Sequence, residues 1–344
     1  MARSRDASAV WPLGNAMPPS NPDVATAAEL WWADLGCHEQ LLVAGTDAVS
    51  FIENFTTAKV SDLQPAAGCE GFFCDARGWV LDLALIRRTT EGLLLRVAAG
   101  RAAPLRRHLD RYHIREELEL VDRSEGLSSL LISGRSAAGW LAEHFTEHLP
   151  VSRLQFKDGL LGVAADIEPV AARLTLIDWY GQGGFLLETT AGGRLAAAAA
   201  AAGLPQAPAE MVAARRLQHG WPLAEDIPEK TLPQELGLDD RAICFTKGCY
   251  LGQETVARLD ALGHVNRRLT LLAVTGAGPV ARGLAVVSGD TQVATVTSAA
   301  PAAEGDGWLA LAIVPVKAAA TQLTIDGRVA VPRPFLAPAE SSTR

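Results

Sequence analysis

Membrane-length apolar runs are missing from this chain. No window of its 344 residues reaches the roughly 18 continuous apolar positions a spanning helix needs, although 49% of the residues are hydrophobic. The N-terminus lacks the apolar core of a secretory signal, so the expectation is a cytoplasmic protein without membrane contact. Positive charge is also in short supply. With 31 Lys and Arg against 39 Asp and Glu, the net charge is -8, which excludes a protein that coats a DNA or RNA backbone. The local arginine groups (Arg87/Arg88; Arg101, Arg106, Arg107 and Arg111; Arg215/Arg216; Arg267/Arg268) suit a single anionic ligand or, more simply, solvated faces.

Cysteine is scarce and odd in number. The five are Cys37, Cys69, Cys74, Cys244 and Cys249, which favours free thiols over a disulfide framework. Cys69/Cys74 and Cys244/Cys249 share a C-x4-C spacing, but Cys69 and Cys74 read as lying on a strand with apolar Phe72 and Phe73 between them, and no third ligand accompanies His144 and His148, so no metal site is expected. No nucleophile elbow, P-loop or dinucleotide-binding glycine motif follows a strand, which disfavours hydrolase, NTPase and dinucleotide chemistry.

What is present is an order of short strands and helices in two cycles. Residues 1–28, dense in Pro, Asn and Ser, read as a mobile arm. The first cycle runs from EQLLVAG through the helix at TDAVSFIENF, a hairpin turning at Asp75–Gly78, and a helix at RAAPLRRHLDRYH. The second, beginning past residue 122, runs from SSLLISG through a helix, a hairpin with a Gly-rich turn, and the alanine run 196–202, stopped by Gly203 and Pro205. The expectation is two related α+β halves over residues 29–262. An irregular acidic segment, Leu223 to Asp240, follows the helices, and strands with Gly and Pro turns over 265–340 indicate a small antiparallel barrel.

The chemistry concentrates in FTKGCYLGQETVAR, Phe245 to Arg258. Cys249 precedes a predicted helix starting near Leu251 or Gly252, whose free N–H groups would stabilise a thiolate, and Lys247 adds charge nearby. Gly248 and Gly252 permit positive φ or a close approach, and Gln253 and Glu254 offer hydrogen bonds to an amide-rich ring edge. The same residues also suit a packed corner in which Glu254 neutralises Lys247.

KGCYLGQE, Lys247 to Glu254, resembles the signature of the YgfZ/Iba57 family of folate-binding, iron-sulfur-linked proteins, relatives of the aminomethyltransferase (T-protein) of glycine cleavage. Weaker likenesses lie in LLVAGTDAVSFIENFTTAKV, RRLQHGWP, GHVNRRLTLL and VATVTSAA. The resemblance implies a three-part fold around a central hole that takes tetrahydrofolate. It implies a working thiol at Cys249 supported by Lys247 and Glu254, and a folate site near Asp82, Thr57, Tyr180, Arg216, Tyr250 and Gln253. Partners implied are the folate and iron-sulfur client or assembly proteins.

Departures qualify the activity. The transferases' catalytic aspartate falls on Leu81, with Asp82 next to it, and a leucine cannot steer the folate amine. Gln182 and Gln218 stand where acids are usual, and Thr57, Ala58 and Lys59 replace a Thr-Asn-Asp run. Aminomethyl transfer is therefore disfavoured. The leading expectation is a tetrahydrofolate-binding protein assisting iron-sulfur cluster assembly or repair. The alternative is a folate-dependent one-carbon transferase or demethylase acting on an amine, with Asp82 or Glu254 as its acid.

Overall fold

A computed structural model describes residues 29–36, 38–163, 167–181, 183–303 and 305–336. The arm expected over 1–28, Cys37 and Gln182 lie outside them. The chain opens with β1 (Trp31–Asp34), then builds β2 (His38–Ala44), α1 (Ala48–Glu53), the hairpin β3 (Gly68–Cys74) and β4 (Val80–Arg88), β5 (Gly92–Ala98), α2 (Ala102–Asp110) and β6 (Glu119–Asp122). It then repeats itself with β7 (Ser128–Ser133), α3 (Ala137–His144), β8 (Phe156–Leu161), β9 (Val170–Ile177), β10 (Gly184–Thr189) and α4 (Arg194–Ala201).

The first sheet is ordered β3-β4-β5-β2-β6 and the second β8-β9-β10-β7-β1. The orders correspond strand for strand, so the two cycles read in the sequence are topological repeats. The last place in the second sheet is filled from the other end of the chain. β1 pairs with β7 from Trp31↔Ser133 to Asp34↔Leu130, so the first described strand belongs to the second half.

Strand alternation gives each sheet two different faces. In the first sheet Leu41, Val43, Ala84, Ile86, Leu93 and Leu95 pack with Phe51, Ile52 and Leu105 of α1 and α2. In the second, Leu130, Ile132, Leu174 and Leu187 pack with Leu141 and Ala198 of α3 and α4. Each such Val, Leu, Ile or Phe side chain removed from water contributes roughly 1.5–3 kcal/mol. The opposite faces look at each other, and there the strands present charge: Glu70, Arg87 and Arg96 from the first sheet, Glu188 from the second, all buried.

After α4 come α5 (Ala209–Gln218), 3-10 turns at Ala224–Asp226 and Pro233–Leu236, α6 (Asp239–Ala242) and α7 (Gln253–Leu262). The remaining strands, β11 (Arg267–Val274), β12 (Ala285–Ser288), β13 (Thr291–Pro301), β14 (Trp308–Pro315), β15 (Leu323–Ile325) and β16 (Arg328–Arg333), form the expected barrel, which closes by β11 pairing with β16. Leu272, Val286, Val296, Ala312 and Val314 fill its interior as a packed core. Among the described residues, no helix is long and apolar enough to cross a membrane.

Candidate functional site

The Cys249 segment is anchored at both ends to the stretch just past α1. The Cys244 N–H donates to the Thr57 carbonyl (2.8 Å) and the Leu251 N–H to that of Asn54 (2.9 Å). Lys247, expected as a charge beside the thiol, instead turns inward. Its ammonium donates to the carbonyls of Glu53 (2.6 Å), Thr56 (2.8 Å) and Ala58 (2.7 Å), lies 3.5 Å from the Glu53 carboxylate and sits over the Tyr250 ring. It thus satisfies carbonyls left over where α1 ends, a task suited to a lysine because the ammonium carries three donors. Burial lowers its pKa, against the pull of Glu53.

Thr57 has a similar tying role: its hydroxyl donates to the Ala242 carbonyl (2.5 Å) and accepts from the Phe72 N–H (2.9 Å). Tyr250 is buried in the central core. The helix begins at Gln253, slightly later than expected, with Gly252 at φ +83 as its cap residue. A β-carbon on Gly252 would meet the Asp75 carbonyl at 2.5 Å and Gly78 Cα at 2.9 Å, so this glycine lets the segment lean on the first hairpin turn. Gly248 has neither demand: among the described residues, nothing lies within 4 Å of where its β-carbon would be. Cys249 is exposed, Gln253 is half-buried, and Glu254 is exposed in the first turn of α7.

Cys244 is the thiol with an activating environment. Burial raises its pKa, but donors outweigh it: the Thr246 hydroxyl, the N–H groups of Thr246 and Lys247, and the charge of Lys59 together leave it below the ordinary value. Cys69 moves the other way, pushed up to about 12 by burial and then by Glu70, and burial raises Cys74 still further. Among the described residues, no three His, Cys, Asp or Glu side chains converge as metal ligands.

A second locus lies between the two sheets. Asp82 is buried on β4; its Oδ1 accepts from the Leu83 N–H (2.9 Å) while Oδ2 has no partner among the described residues. Burial, opposed by Arg101 and the Leu83 N–H and assisted by Glu39, lifts its carboxyl to about 7. It lines a chamber of about 40 Å³ with His38, Arg96 and the Trp179 and Trp221 rings, which stack at 4.5 Å. Burial, reinforced by Arg96, keeps His38 neutral, with its pKa lowered to about 3.

Beside it opens a cleft of about 490 Å³ between β1, α5 and the barrel, holding Tyr180 and Arg216. Arg216 is buried and donates to Asp226 (2.7 Å) and to the Trp221 carbonyl (2.9 Å), while Asp226 accepts from Thr297 (2.6 Å). This chain of bonds ties helix, irregular segment and barrel together. Leu223 borders both spaces.

The nine expected site residues therefore fall into three groups. Cys249, Lys247, Tyr250, Gln253, Glu254 and Thr57 cluster around the surface loop and its anchor; Asp82 lines the chamber; Tyr180 and Arg216 line the cleft. No residue of the Cys249 segment lines either space. The cleft volume lies within the roughly 300–1,000 Å³ of cofactor-sized sites, and its lining mixes apolar residues such as Leu35 and Val212 with polar ones such as Gln206, Glu225 and Arg282. The chamber alone is too small for a bicyclic ring.

Sequence reasoning missed the inward charges. Glu70 accepts from Arg153, from Trp179 Nε1 (2.5 Å) and from Arg241 (3.1 Å), and Asp178 joins the same two arginines at 3.0 and 2.7 Å. Arg87, read as part of a solvated pair, is buried against Glu188. An Asp or Glu at an inward position of an otherwise apolar strand was the available signal.

The sequence matches the GCVT N-terminal domain over residues 24–247. It is 25% identical over 254 residues to the tRNA-modifying protein YgfZ of Colwellia psychrerythraea, covering 73% of this chain and 74% of that protein. It is 25% identical over 259 residues to an iron-sulfur cluster assembly factor IBA57 homolog, mitochondrial, of Chaetomium globosum, covering 69% of this chain and 54% of that one. Its structure resembles the glycine cleavage system aminomethyltransferase T from Bartonella henselae, with a TM-score of 0.74 at 20% identity over 91% of this chain and 88% of that one.

Proposed function

The chain belongs to the GCVT N-terminal domain family, and from that premise we propose that it is a folate-binding member that assists iron-sulfur cluster assembly or repair, with Cys249 as its working thiol. The observation that carries this reading is the build of the Cys249 loop. Three carbonyls grip Lys247, and Gly252 closes against the first hairpin turn, which holds an exposed cysteine on a fixed stage. Leu81 stands where the transferases place their acid, which argues against aminomethyl transfer. Relatives named for tRNA modification and for iron-sulfur assembly agree with a role in handling clusters for client enzymes. The folate would lie in the cleft, with Tyr180 and Arg216 at hand and its polar ring edge directed toward Asp82.

Two measurements test the proposal. Replacing Cys249 with Ala in the host should lower iron-sulfur enzyme activities as far as deletion does; intact activities beside a clear deletion defect would rule out the thiol role. Calorimetric titration with tetrahydrofolate should show saturable binding that weakens in Tyr180→Ala. A second reading, a one-carbon transferase, is favoured by one observation: Asp82 keeps an oxygen with no partner among the described residues and a carboxyl lifted to about 7, fit for proton transfer near neutrality. It predicts turnover of methylene-tetrahydrofolate, lost in Asp82→Asn.

A further inference from the structure

Residues 101–115 carry Arg101, Arg106, Arg107, Arg111 and Arg115 against one acid, Asp110, which is +4 in a chain of net charge -8 and leaves -12 for the rest. The segment is α2 with the turn that follows it. Leu105 and Leu109 face the core of the first sheet, while Arg106, Arg107, Arg111 and Arg115 are exposed. Other surface arginines find carboxylates, as Arg123 does in Glu91 and Arg194 in Glu168. Among the described residues, no acceptor takes the guanidinium of any of these four. The acids around them are engaged: Asp110 lies 4.0 Å from His113, Asp75 Oδ1 accepts from the N–H groups of Arg77 and Trp79, and Glu53 from those of Val60 (2.7 Å) and Ser61 (2.9 Å).

This basic face borders the Cys249 loop. His108 and Tyr112 of the same segment lie against the Phe55 ring, with centroids at 6.5 and 5.1 Å. The residues on either side of Phe55 anchor the loop: the Asn54 carbonyl accepts from the Leu251 N–H and that of Thr56 from the Lys247 ammonium. Leu251 itself packs on the core that holds Phe55, Leu105 and Leu109. Past the arginines, Ile114 stands 86% exposed, an apolar side chain open to a partner. Arginine is enriched at protein interfaces, where its planar fork takes a carboxylate through two parallel bonds.

We propose that the exposed face of α2 docks an acidic protein surface, one presenting several Asp or Glu side chains around an apolar residue, and so delivers that partner to Cys249. The purpose of the docking rests on the thiol reading of Cys249; the contact itself does not. A nucleic acid matches the face less well, because the -12 carried by the rest of the chain repels a long polyanion beyond the patch. The rings that could stack on bases, His108 and Tyr112, are already packed on Phe55.

The test uses the full chain carrying Cys37→Ser and Cys244→Ser, which keeps Cys249 as its exposed thiol. The probes are two synthetic peptides, one of glutamates around a leucine and one with glutamine at each glutamate. Each carries a terminal cysteine activated as a mixed disulfide with thionitrobenzoate. The Cys249 thiolate attacks the peptide sulfur, a protein–peptide disulfide forms, and the old S–S bond breaks with its electron pair leaving on thionitrobenzoate, whose absorbance is followed. At low salt the glutamate peptide should react at least about tenfold faster than the glutamine peptide, and sodium chloride should erase the difference. Arg107→Glu with Arg111→Glu should erase it too. Equal rates for the two peptides overturn the proposal, as does the same collapse in Arg135→Glu with Lys317→Glu, which makes an equal change of net charge at exposed positions elsewhere. If unfractionated tRNA or phosphatidylserine vesicles suppress the preference at lower charge concentration than the free glutamate peptide, the face belongs to that polyanion and the proposal falls. Should the charge reversal not fold by circular dichroism, Arg107→Gln with Arg111→Gln decides by the same criterion. The thiol reading fails separately: a silent Cys249→Ala in the host leaves the peptide preference standing, and equal peptide rates leave the host assay untouched.

Discussion

Gly252 packs against the carbonyl of Asp75 so closely that a β-carbon on it would lie 2.5 Å from that oxygen. The contact joins the Cys249 loop to the turn of the first hairpin, where Asp75 Oδ1 in turn accepts from the N–H groups of Arg77 and Trp79, each at 2.9 Å.

Gly252→Ala should therefore lose about 1–3 kcal/mol of stability, since it combines a positive φ with a backbone clash. Gly248→Ala, four residues away in a conformation open to any residue, should stay within about 0.5 kcal/mol. Urea unfolding of both variants checks the contrast. Equal losses would mean that the hairpin contact does not hold the loop.

Lys247→Met keeps the apolar stem and removes the ammonium from three carbonyls in a site where the side chain is fully buried. Leaving those acceptors bare should cost about 2–4 kcal/mol, with the loop as the first region to open. Hydrogen exchange at the N–H groups of Cys244 and Leu251, which bridge to Thr57 and Asn54, is the sensitive readout. A variant whose exchange there is unchanged would assign the anchoring to those backbone bridges alone.

The architecture was legible where physics is local. Alternating strands around Asp75–Gly78, the alanine helix stopped by Gly203, and the strands of the barrel follow from periodicity and turn residues within a few positions. The site was only half legible. KGCYLGQE marks the loop, yet Lys247 looks like a surface charge until residues 53–58 are folded beneath it. Arg87 looks solvated for the same reason, because its partner Glu188 lies 101 positions away. β1 is the extreme case: nothing in Trp31–Asp34 tells which sheet lacks an edge strand. In each case the deciding contact is between segments far apart in the chain, where sequence spacing carries no information.

Acid should loosen the joint between the halves. The folded state holds Glu188 near 2 and His38 near 3, both below their unfolded values of 4.5 and 6.5. The unfolded chain thus binds more protons at both groups, and their contribution to stability falls as pH drops from about 6.5 toward 2, while Asp82 and Asp239, lifted to about 7 and about 6 by burial, contribute in the opposite direction above about pH 4. Melting temperatures between pH 7 and 3 should decline less steeply in His38→Gln. Glu188→Gln should be destabilised by about 3–5 kcal/mol at pH 7, since two buried guanidiniums lose their counter-charge. Parallel profiles for His38→Gln and the unmodified protein would show that His38 does not resist protonation.

Thiol labelling separates the two cysteines of the Cys249 loop. In a Cys37→Ser background, a short iodoacetamide pulse near neutral pH should modify Cys249 and Cys244 and spare Cys69 and Cys74. Cys249 reacts because it is exposed; Cys244 reacts in spite of partial burial because its sulfur faces the donors of Thr246 and Lys247 and the charge of Lys59. Alkylation consumes the thiolate, so the rate at Cys244 should rise with a midpoint below the ordinary thiol value of 9.0, and Lys59→Gln should move that midpoint upward. Cys69, held near 12, needs far more alkaline conditions, and Cys74 should react only on unfolding. Peptide mass spectrometry across a pH series reads all four positions at once. A Cys244 midpoint at or above 9.0 would mean that burial outweighs the donors. The expected result leaves the loop with two chemically distinct thiols, one made accessible by its position and one made acidic by its neighbours.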